Sequence, residues 1–211
     1  MSSVFGFFTI STRIRLRLEV VNITKRPNLY LALLHYPVYD KNKRVVSTAL
    51  TNLDIHDIAR SAVTFGIVKY YLVTPFKKQR ILARRILSHW LTGYGADYNP
   101  KRKEALELVE IADSLEDVCE DIYNHQGVRP KTVVTDAKPL ERSIDYLDLK
   151  NLIEKDSQPY LLLLGTGWGI IEDVIRDSDY VLAPIRGNTD YYHLSVRSAA
   201  AIILDRLLGM R

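Results

Sequence analysis

Two segments in the last third of the chain have the residue types of ligand-binding loops. Residues 165–169 read Gly-Thr-Gly-Trp-Gly and directly follow the apolar run of residues 160–164. Residues 184–187 read Pro-Ile-Arg-Gly and follow a second apolar run, residues 180–183. A glycine after a buried strand lets the backbone turn sharply and lets a ligand approach the main chain. Both segments therefore predict contacts between a bound small molecule and the ends of strands.

Residues 165–169 do not match the two common phosphate-binding loops. The dinucleotide-binding fingerprint requires a third glycine, and that position is Ile170 in this chain. The P-loop requires Gly-Lys-Ser or Gly-Lys-Thr before its helix, and residues 165–175 contain no lysine. The segment also lies late in the chain, whereas a Rossmann loop usually follows the first strand of its unit. The glycines exclude these two loop types and leave the ligand open.

Strands and helices alternate along residues 29–208, which predicts an α/β fold with a mostly parallel sheet. Short apolar runs predict the strands, and apolar residues three or four apart predict the helices. The predicted strands are residues 29–34, 68–73, 132–134, 160–164 and 180–183. The predicted helices are residues 55–65, 77–90, 103–111, 114–124 (with Ser114 as N-cap), 145–154 and 199–208, with a loop at 93–100. In such a sheet, ligands bind where the carboxyl ends of strands meet the connecting loops.

The composition is that of one folded domain with an appendage. The 211 residues are 47% hydrophobic and 26% charged, and a formal net charge of +4 weakly favours an anionic partner. A single cysteine, Cys119, excludes an intrachain disulfide and fits the reducing cytosol. No apolar stretch approaches the roughly 20 residues that cross a bilayer. We therefore expect a cytoplasmic protein without a membrane span.

Residues 1–28 differ from the domain that we predict for residues 29–211. Arg13, Arg15 and Arg17 alternate with apolar residues, a period of two that indicates a half-exposed strand. The short apolar start precedes this charge, which is the reverse of the order in a secretory signal. Two interpretations remain, a loosely ordered extension or a basic arm that contacts nucleic acid phosphates.

Three segments resemble the motifs of the SPOUT class of S-adenosylmethionine-dependent RNA methyltransferases. The first is residues 54–62, in which Arg60 ends an Ile-x-Arg sequence. The second is residues 164–169, and the third is residues 184–187 followed by residues 193–196. The resemblance covers the chain from Leu29 to Gly209. It extends to one family of the class, which occurs alone and also fused to a bacterial tRNA (guanine-N1)-methyltransferase.

The resemblance implies a C-terminal deep trefoil knot whose loops hold S-adenosylmethionine, and a homodimer that pairs through the knot. A true knot is rare among folds, so this is a specific prediction. The residues implied to bind the cofactor are Thr135, Leu164, Gly165, Thr166, Gly167, Trp168, Gly169, Ile185, Leu194, Ser195 and Val196. The resemblance places Arg60 beside the reacting nucleotide, with His193 as a candidate proton acceptor. Arg186 and Arg197 are expected on RNA phosphate across the subunit boundary, and no metal is implied.

Residue chemistry limits the roles of the candidate catalytic residues. An arginine is protonated at any physiological pH, so Arg60 suits phosphate positioning or stabilisation of a developing oxyanion. The alternative is a helix arginine that pairs with Asp54 or Asp57 or faces solvent. His193 could accept a proton near pH 7, although a histidine is more often a structural hydrogen-bonding group. The alternative for the two arginines on RNA is a surface salt bridge, which contributes little.

The helix predicted at residues 77–90 carries a second candidate surface. Its lysines and arginines lie opposite its apolar face, and residues 101–103 read Lys-Arg-Lys. An RNA footprint and a solvated helix face both fit this pattern. Tyrosines in predicted loops could stack on an unpaired base or fill a core or an interface, and these are Tyr94, Tyr98, Tyr191 and Tyr192.

We therefore predict an enzyme that transfers a methyl group from S-adenosylmethionine to RNA, with tRNA favoured over ribosomal RNA. The alternative is a non-catalytic RNA-binding or assembly protein that retains the knotted fold. Departures from the class motivate this alternative: Asp54 replaces Asn, Gly167 replaces an acidic residue and Ser195 replaces Asn. A third interpretation is a nucleotide-dependent α/β enzyme of another class.

Overall fold

A computed structural model describes residues 27–210 and shows a seven-stranded sheet with helices on both faces. The strands in chain order are β1 (Leu29–Leu34), β2 (Val38–Tyr39), β3 (Val45–Val46), β4 (Tyr70–Val73), β5 (Val109–Ala112), β6 (Lys131–Thr135), β7 (Ser143–Ile144), β8 (Tyr160–Gly165) and β9 (Tyr180–Leu182). β2 and β3 form a separate antiparallel hairpin. The other seven strands have the order β5-β4-β1-β8-β6-β9-β7, and every neighbouring pair is parallel. The predicted α/β fold with a mostly parallel sheet is therefore confirmed.

The two central strands are apolar on both faces. All six residues of β1 are buried, and so are the first five of β8. Leu29, Leu31 and Leu33 contribute to the core on one face of the sheet, while Tyr30 and Leu34 contribute to the core on the other. This is why both strands read as continuous apolar runs, since a parallel sheet covered by helices leaves no face in water.

The helices divide unequally between the two faces. In chain order they are α1 (Asn52–Thr64), α2 (Lys77–Leu91), α3 (Tyr94–Tyr98), α4 (Pro100–Leu106), α5 (Leu115–Gln126), α6 (Tyr146–Lys155), α7 (Glu172–Asp177) and α8 (Val196–Leu208). Apolar residues of α1, α2, α4, α6 and α8 pack in the larger core. Residues of α5 and α7 pack in the smaller core on the opposite face.

Side-chain caps fix the starts of four helices that the sequence predicts. Ser114 caps α5 in a capping box with Asp117, which confirms the predicted N-cap. Asp145 caps α6, and Ser195 caps α8 through a hydrogen bond from Ser198 N. Thr51 caps α1, so this helix begins three residues before the predicted start. These caps satisfy backbone N–H groups that have no partner within the helix.

The region between α2 and α5 differs from the prediction. Residues 93–100 were expected as a loop, but they contain α3 and the start of α4, which Asn99 caps. The helix predicted at residues 103–111 ends at Leu106, and β5 follows at Val109. The prediction was wrong because this edge strand has only four residues, too few to outweigh the helical spacing of the residues before it.

Besides α3 and β5, further short features were absent from the sequence prediction. These are the β2–β3 hairpin, the edge strand β7 and the six-residue α7. The predicted basic arm at Arg13, Arg15 and Arg17 lies outside the described residues. No helix within residues 27–210 is long and apolar enough to cross a membrane.

The insertion of β9 into the sheet is the main departure from simple chain order. β6 is connected to β7 by residues 136–142, yet β9 pairs with both and lies between them. β9 therefore occupies a place that its two neighbours, which precede it in the chain, leave open. The threading that a trefoil knot requires stays a prediction.

Candidate functional site

Four connecting segments meet at the carboxyl edge of the parallel sheet. Residues 35–48 follow β1, residues 136–142 follow β6, residues 166–171 follow β8 and residues 183–195 follow β9. These strands are neighbours in the sheet, so their carboxyl ends lie side by side. This is the edge at which α/β proteins bind ligands.

A cavity of about 710 Å³ lies at the ends of β6 and β9. Residues 137–139 form one wall, and residues 184–192 form the rest. Two predicted site residues, Ile185 and Arg186, line this cavity. Its volume falls in the range of about 300–1,000 Å³ that is typical of small-molecule sites.

The cavity lining combines aromatic, cationic and anionic groups. Tyr191 and Tyr192 contribute rings, Lys138 and Arg186 contribute positive charges, and Asp190 contributes a carboxylate. S-adenosylmethionine, which the resemblance implies, has a flat adenine, a carboxylate and an ammonium group. The residues present therefore fit that cofactor, since each part of it has a chemical complement in the lining. Sequence reasoning missed Lys138 and Asp190, although both are charged residues close to a predicted strand end.

The glycine loop, residues 165–169, is held against the β2–β3 hairpin. Trp168 N donates a hydrogen bond to the Tyr39 carbonyl at 3.0 Å, and Tyr39 N donates to the Gly169 carbonyl at 2.9 Å. Gly167 has φ +61°, and a Cβ there would lie 3.0 Å from the Tyr39 carbonyl oxygen and 3.1 Å from Thr48 Cγ2. Contacts within the protein therefore require a glycine at this position.

A chain of hydroxyl groups joins the glycine loop to the end of β1. Thr166 Oγ1 donates to the Leu34 carbonyl at 2.9 Å and lies 2.5 Å from Thr48 Oγ1. Thr48 Oγ1 is in turn 3.0 Å from Nδ1 of His35, whose side chain is buried. Burial lowers the pKa of His35 to about 4, so the ring is neutral at pH 7. Its Nε2 has no hydrogen-bond partner within the described residues.

Leu164, Thr135 and Trp168, which were also predicted to bind the cofactor, do not line the cavity. Leu164 is fully buried in the larger core, so its side chain is inaccessible to a ligand. The hydroxyl of Thr135 donates to the Leu163 carbonyl at 2.9 Å. The Trp168 side chain, in contrast, is 67% exposed. The structure therefore brings these residues to one edge but places them outside the cavity lining.

The segment before α8 is open to solvent. His193 is exposed, and its ring centroid lies 4.7 Å from that of Tyr192 and 5.9 Å from that of Tyr191. Leu194 is exposed, whereas Val196 begins α8 and packs against the larger core. The His193 and Leu194 side chains are therefore available to a ligand, whereas Ser195 caps α8 and Val196 packs in the protein.

Arg60 and Arg197 lie in contrasting environments. Arg60 is exposed on α1, and its guanidinium forms no ion pair with any residue in the range 27–210. Arg197 Nε, on α8, lies 3.9 Å from Asp54 Oδ1 and 3.8 Å from Asp57 Oδ2. The two carboxylates that were considered as partners of Arg60 therefore face Arg197. Arg60 is left free to contact a ligand.

His56 occupies a buried position on the same helix. Its ring meets that of Trp90 edge-on at 5.4 Å, and neither ring nitrogen has a hydrogen-bond partner among the described residues. Burial is the main cause that lowers the pKa of His56, and the nearby positive charges of Arg102 and Arg60 lower it further. His56 is therefore a neutral packing residue between α1 and α2.

Comparison with known proteins gives a consistent result. A family model described as SAM-dependent RNA methyltransferase matches residues 28–209. An uncharacterized protein from Aquifex aeolicus is 46% identical over 182 residues, which cover 86% of this chain and 89% of that protein. A tRNA (guanine-N(1)-)-methyltransferase from Oleidesulfovibrio alaskensis is 44% identical over 182 residues. That match covers 86% of this chain but only 42% of the relative, so the chain spans less than half of that protein.

Solved structures share the fold at much lower identity. The structure of the A. aeolicus TrmH/SpoU tRNA modifying enzyme superposes with a TM-score of 0.51 and 14% identity. The superposition covers 88% of this chain and 76% of that one. At this identity the likeness concerns the fold alone.

Proposed function

The chain belongs to the family of S-adenosylmethionine-dependent RNA methyltransferases, and on this premise we propose that it methylates tRNA. The proposed cofactor site is the cavity at the ends of β6 and β9. One observation carries this proposal: the cavity lies in the matched stretch, at the sheet edge where ligands bind, and its lining fits the cofactor. A relative named as a tRNA methyltransferase supports tRNA as the substrate class.

The cavity residues have distinct proposed roles in holding the cofactor. Asp190 would accept hydrogen bonds from its ammonium group, and Lys138 would pair with its carboxylate. Ile185 and Tyr192 cover the adenine ring with apolar surface. The glycine loop holds its neighbours in place and offers backbone groups at the cavity edge.

The chain's own contribution to catalysis is mainly positioning. S-adenosylmethionine supplies an electrophilic methyl group on its sulfonium. Arg60 stays protonated and binds a phosphate or the developing negative charge of the nucleotide under attack. His193, which is exposed beside the cavity residue Tyr192, takes the proton that the nucleophile loses. Arg186 contributes positive charge toward the RNA backbone, and Arg197 does so only by exchanging its contacts with Asp54 and Asp57 for a phosphate.

We further propose a homodimer that pairs through α1 and α8, with the predicted C-terminal knot beneath this interface. Leu53 and Val63 leave exposed apolar surface on α1, which supports an interface there. The insertion of β9 between β6 and β7 supports the knot, because a late strand then occupies a place inside earlier ones. In such a dimer, Arg60 reaches the cavity of the other subunit. Light scattering in solution tests the dimer.

Methyl transfer from labelled S-adenosylmethionine tests the proposed function. We expect label in unfractionated tRNA and none in ribosomal RNA, with cofactor binding measured by calorimetry. The Arg60→Ala variant should bind the cofactor normally and transfer methyl groups about 100-fold more slowly or worse. Arg176→Ala, which removes an exposed arginine from α7 on the other sheet face, is the matched control and should be fully active.

The outcomes separate the parts of the proposal. Label in ribosomal RNA alone would show that the substrate class is wrong. Cofactor binding without transfer to any RNA would favour the non-catalytic alternative. Equal activity of Arg60→Ala and the control would remove Arg60 from the reaction.

A further inference from the structure

One segment of the described chain carries a large excess of positive charge. Residues 77–103 contain eight lysines and arginines but one acidic residue, Asp97, for a net charge of +7. The whole chain has a net charge of +4, so the remaining residues sum to −3. This segment is α2, α3 and the first part of α4, which form one continuous surface region. A strongly cationic region on an otherwise slightly acidic protein indicates an anionic partner.

Four cations of α2 form a stripe without counter-ions. Lys77, Lys78, Arg84 and Arg85 are all exposed, and α2 contains no acidic residue. None of the four forms an ion pair within the described part of the chain, whereas Arg80 of the same helix pairs with Asp113 at 2.9 Å. Residues seven apart lie on the same side of a helix, so the four form one cationic stripe about 12 Å long.

A pair of stacked tyrosines lies on α3, the short helix that follows α2 and packs against it. Tyr94 and Tyr98 on α3 are 75% and 73% exposed, and their ring centroids are 5.9 Å apart with 22° between the ring planes. Packing fixes this tyrosine pair relative to α2, since a Cβ on Gly95 would lie 2.6 Å from the Trp90 ring. The guanidinium of Arg102 also stacks on Trp90, at 4.6 Å from its centroid. The rings are therefore held in solvent on a rigid base.

We propose that the cationic stripe and the tyrosine pair form a second RNA contact, which binds an unpaired stretch of the substrate RNA away from the methyl-transfer cavity. This inference rests on the proposed function. Backbone phosphates contact the stripe, and one unpaired base stacks on the tyrosine pair. At about 3.4 Å per nucleotide of a stacked strand, the stripe matches three or four phosphates.

RNA suits this surface better than an acidic protein does. Two exposed, mutually stacked aromatic rings form a platform for nucleic acid bases, and cations without counter-ions beside them match a phosphate backbone. The position of the surface also suits a substrate that reaches the cavity. α2 begins just after the carboxyl end of β4, which is four strand positions from β9 in the sheet. At about 4.8 Å per strand this is roughly 19 Å, a distance that a folded RNA spans easily.

Fluorescence anisotropy with a labelled 12-nucleotide single-stranded RNA of mixed sequence tests the stripe, without cofactor present. The variant is Lys77→Gln with Lys78→Gln. The control, Lys150→Gln with Lys155→Gln, removes the same charge from α6 near the opposite edge of the sheet. We expect the slope of log K against log salt to fall by about 1.4 in the variant, at roughly 0.7 per lost phosphate contact. The control should keep the wild-type slope.

The tyrosine pair is tested in the same assay at fixed salt. Tyr94→Ala with Tyr98→Ala should weaken binding roughly 5- to 100-fold, because base stacking on an aromatic ring is lost. The matched Tyr94→Phe with Tyr98→Phe variant keeps both rings and should bind within about twofold of wild type.

Two results would overturn the inference. The first is wild-type affinity and salt slope in both the stripe and the tyrosine variants. The second is displacement of the RNA by poly-glutamate at equal charge concentration, which would assign the surface to an acidic protein. Calorimetry with S-adenosylmethionine accompanies each variant, since normal cofactor binding shows that the fold and the cavity are intact. A failure of the second RNA contact therefore does not affect the proposed methyl transfer. If the wild type does not bind S-adenosylmethionine, in contrast, the proposed methyl transfer is contradicted.

Discussion

The two glycine-containing segments at the carboxyl edge look alike in sequence but are used differently. The glycine loop after β8 is bonded to the β2–β3 hairpin on one side and to β1 through Thr166 on the other. The segment of residues 184–192 after β9 makes few internal contacts and forms most of the cavity lining. In the first segment, Gly167 is needed because a Cβ would contact the β2–β3 hairpin region. In the second segment, the side chains face the cavity. In the proposed site, the first segment has a supporting role and the second is the one that would contact the ligand.

The two glycines at matching places test this contrast most strongly. Gly167→Ala should lower the free energy of unfolding by roughly 2–3 kcal/mol, because alanine is strained at φ +61° and its Cβ meets the Tyr39 carbonyl. A Cβ on Gly187 meets no atom within 4 Å, so Gly187→Ala should change stability by less than about 0.5 kcal/mol. Urea denaturation measures both. Equal losses would erase the distinction.

The buried His35, which is linked to the glycine loop through Thr48, should make the stability of the protein sensitive to acid. Its folded pKa of about 4 lies below the value of 6.5 for an exposed histidine. The folded state therefore binds this proton later than the unfolded state, so stability is complete above pH 6.5 and falls as the pH drops toward 4. Between pH 7 and pH 4.5 the wild type should lose roughly 2 kcal/mol more than His35→Asn, which cannot titrate. Urea denaturation at both pH values measures the two losses, and an equal loss in wild type and His35→Asn would contradict this prediction.

One threonine in each segment allows the two segments to be compared by the same substitution. Thr166→Val removes the hydroxyl that serves the buried Leu34 carbonyl and Thr48, and should cost about 1–2 kcal/mol of stability. Thr189→Val changes an exposed residue of the open segment, where the hydroxyl only accepts a 3.3 Å bond from Tyr191 N. That variant should lie within about 0.5 kcal/mol of wild type. Thermal denaturation of both proteins decides the point.

In the segment of residues 184–192, a substitution should lower cofactor affinity and leave stability unchanged. Asp190→Asn keeps the shape of the side chain but removes the charge proposed to bind the cofactor ammonium. Its affinity for S-adenosylmethionine should fall about tenfold, or 1.4 kcal/mol, with no change in unfolding free energy. Calorimetry at low and high salt measures the loss. Unchanged affinity would show that another group holds the ammonium.

Local patterns were enough to predict most of the fold. The apolar runs that became β1, β8 and β9 are buried on both faces, so their residue types carry the signal. Ser114 correctly predicted the start of α5, because an N-cap depends only on the residues next to it. The hairpin at Val38 and Val45 could not be predicted, because its two-residue strands are defined by pairing and not by periodicity. β5 at Val109 was missed because its four residues are too few to outweigh the helical spacing of the residues before them.

The site was predictable only down to the level of segments. The strand ends indicated the carboxyl edge of the sheet, and Ile185 and Arg186 line the cavity that lies there; the role of that cavity as the cofactor site stays a proposal. The sequence could not show that residues 137–139 complete the lining, because β6 and β9 become neighbours only through the order of strands in the sheet. Nor could it show that Asp54 and Asp57 face Arg197 and not Arg60, since that depends on how α1 and α8 cross.

The position of β9 has a consequence for how the protein is made. β7 has β9 as its sole partner in the described sheet, and β9 follows both β6 and β7 in the chain. Until residues 180–182 have left the ribosome, the nascent chain therefore exposes unpaired edges of β6 and β7, the kind of surface on which aggregation begins. A transcript that stops before residue 180 would yield a polypeptide that keeps these edges unpaired, so quality control of such fragments falls to chaperones and proteases.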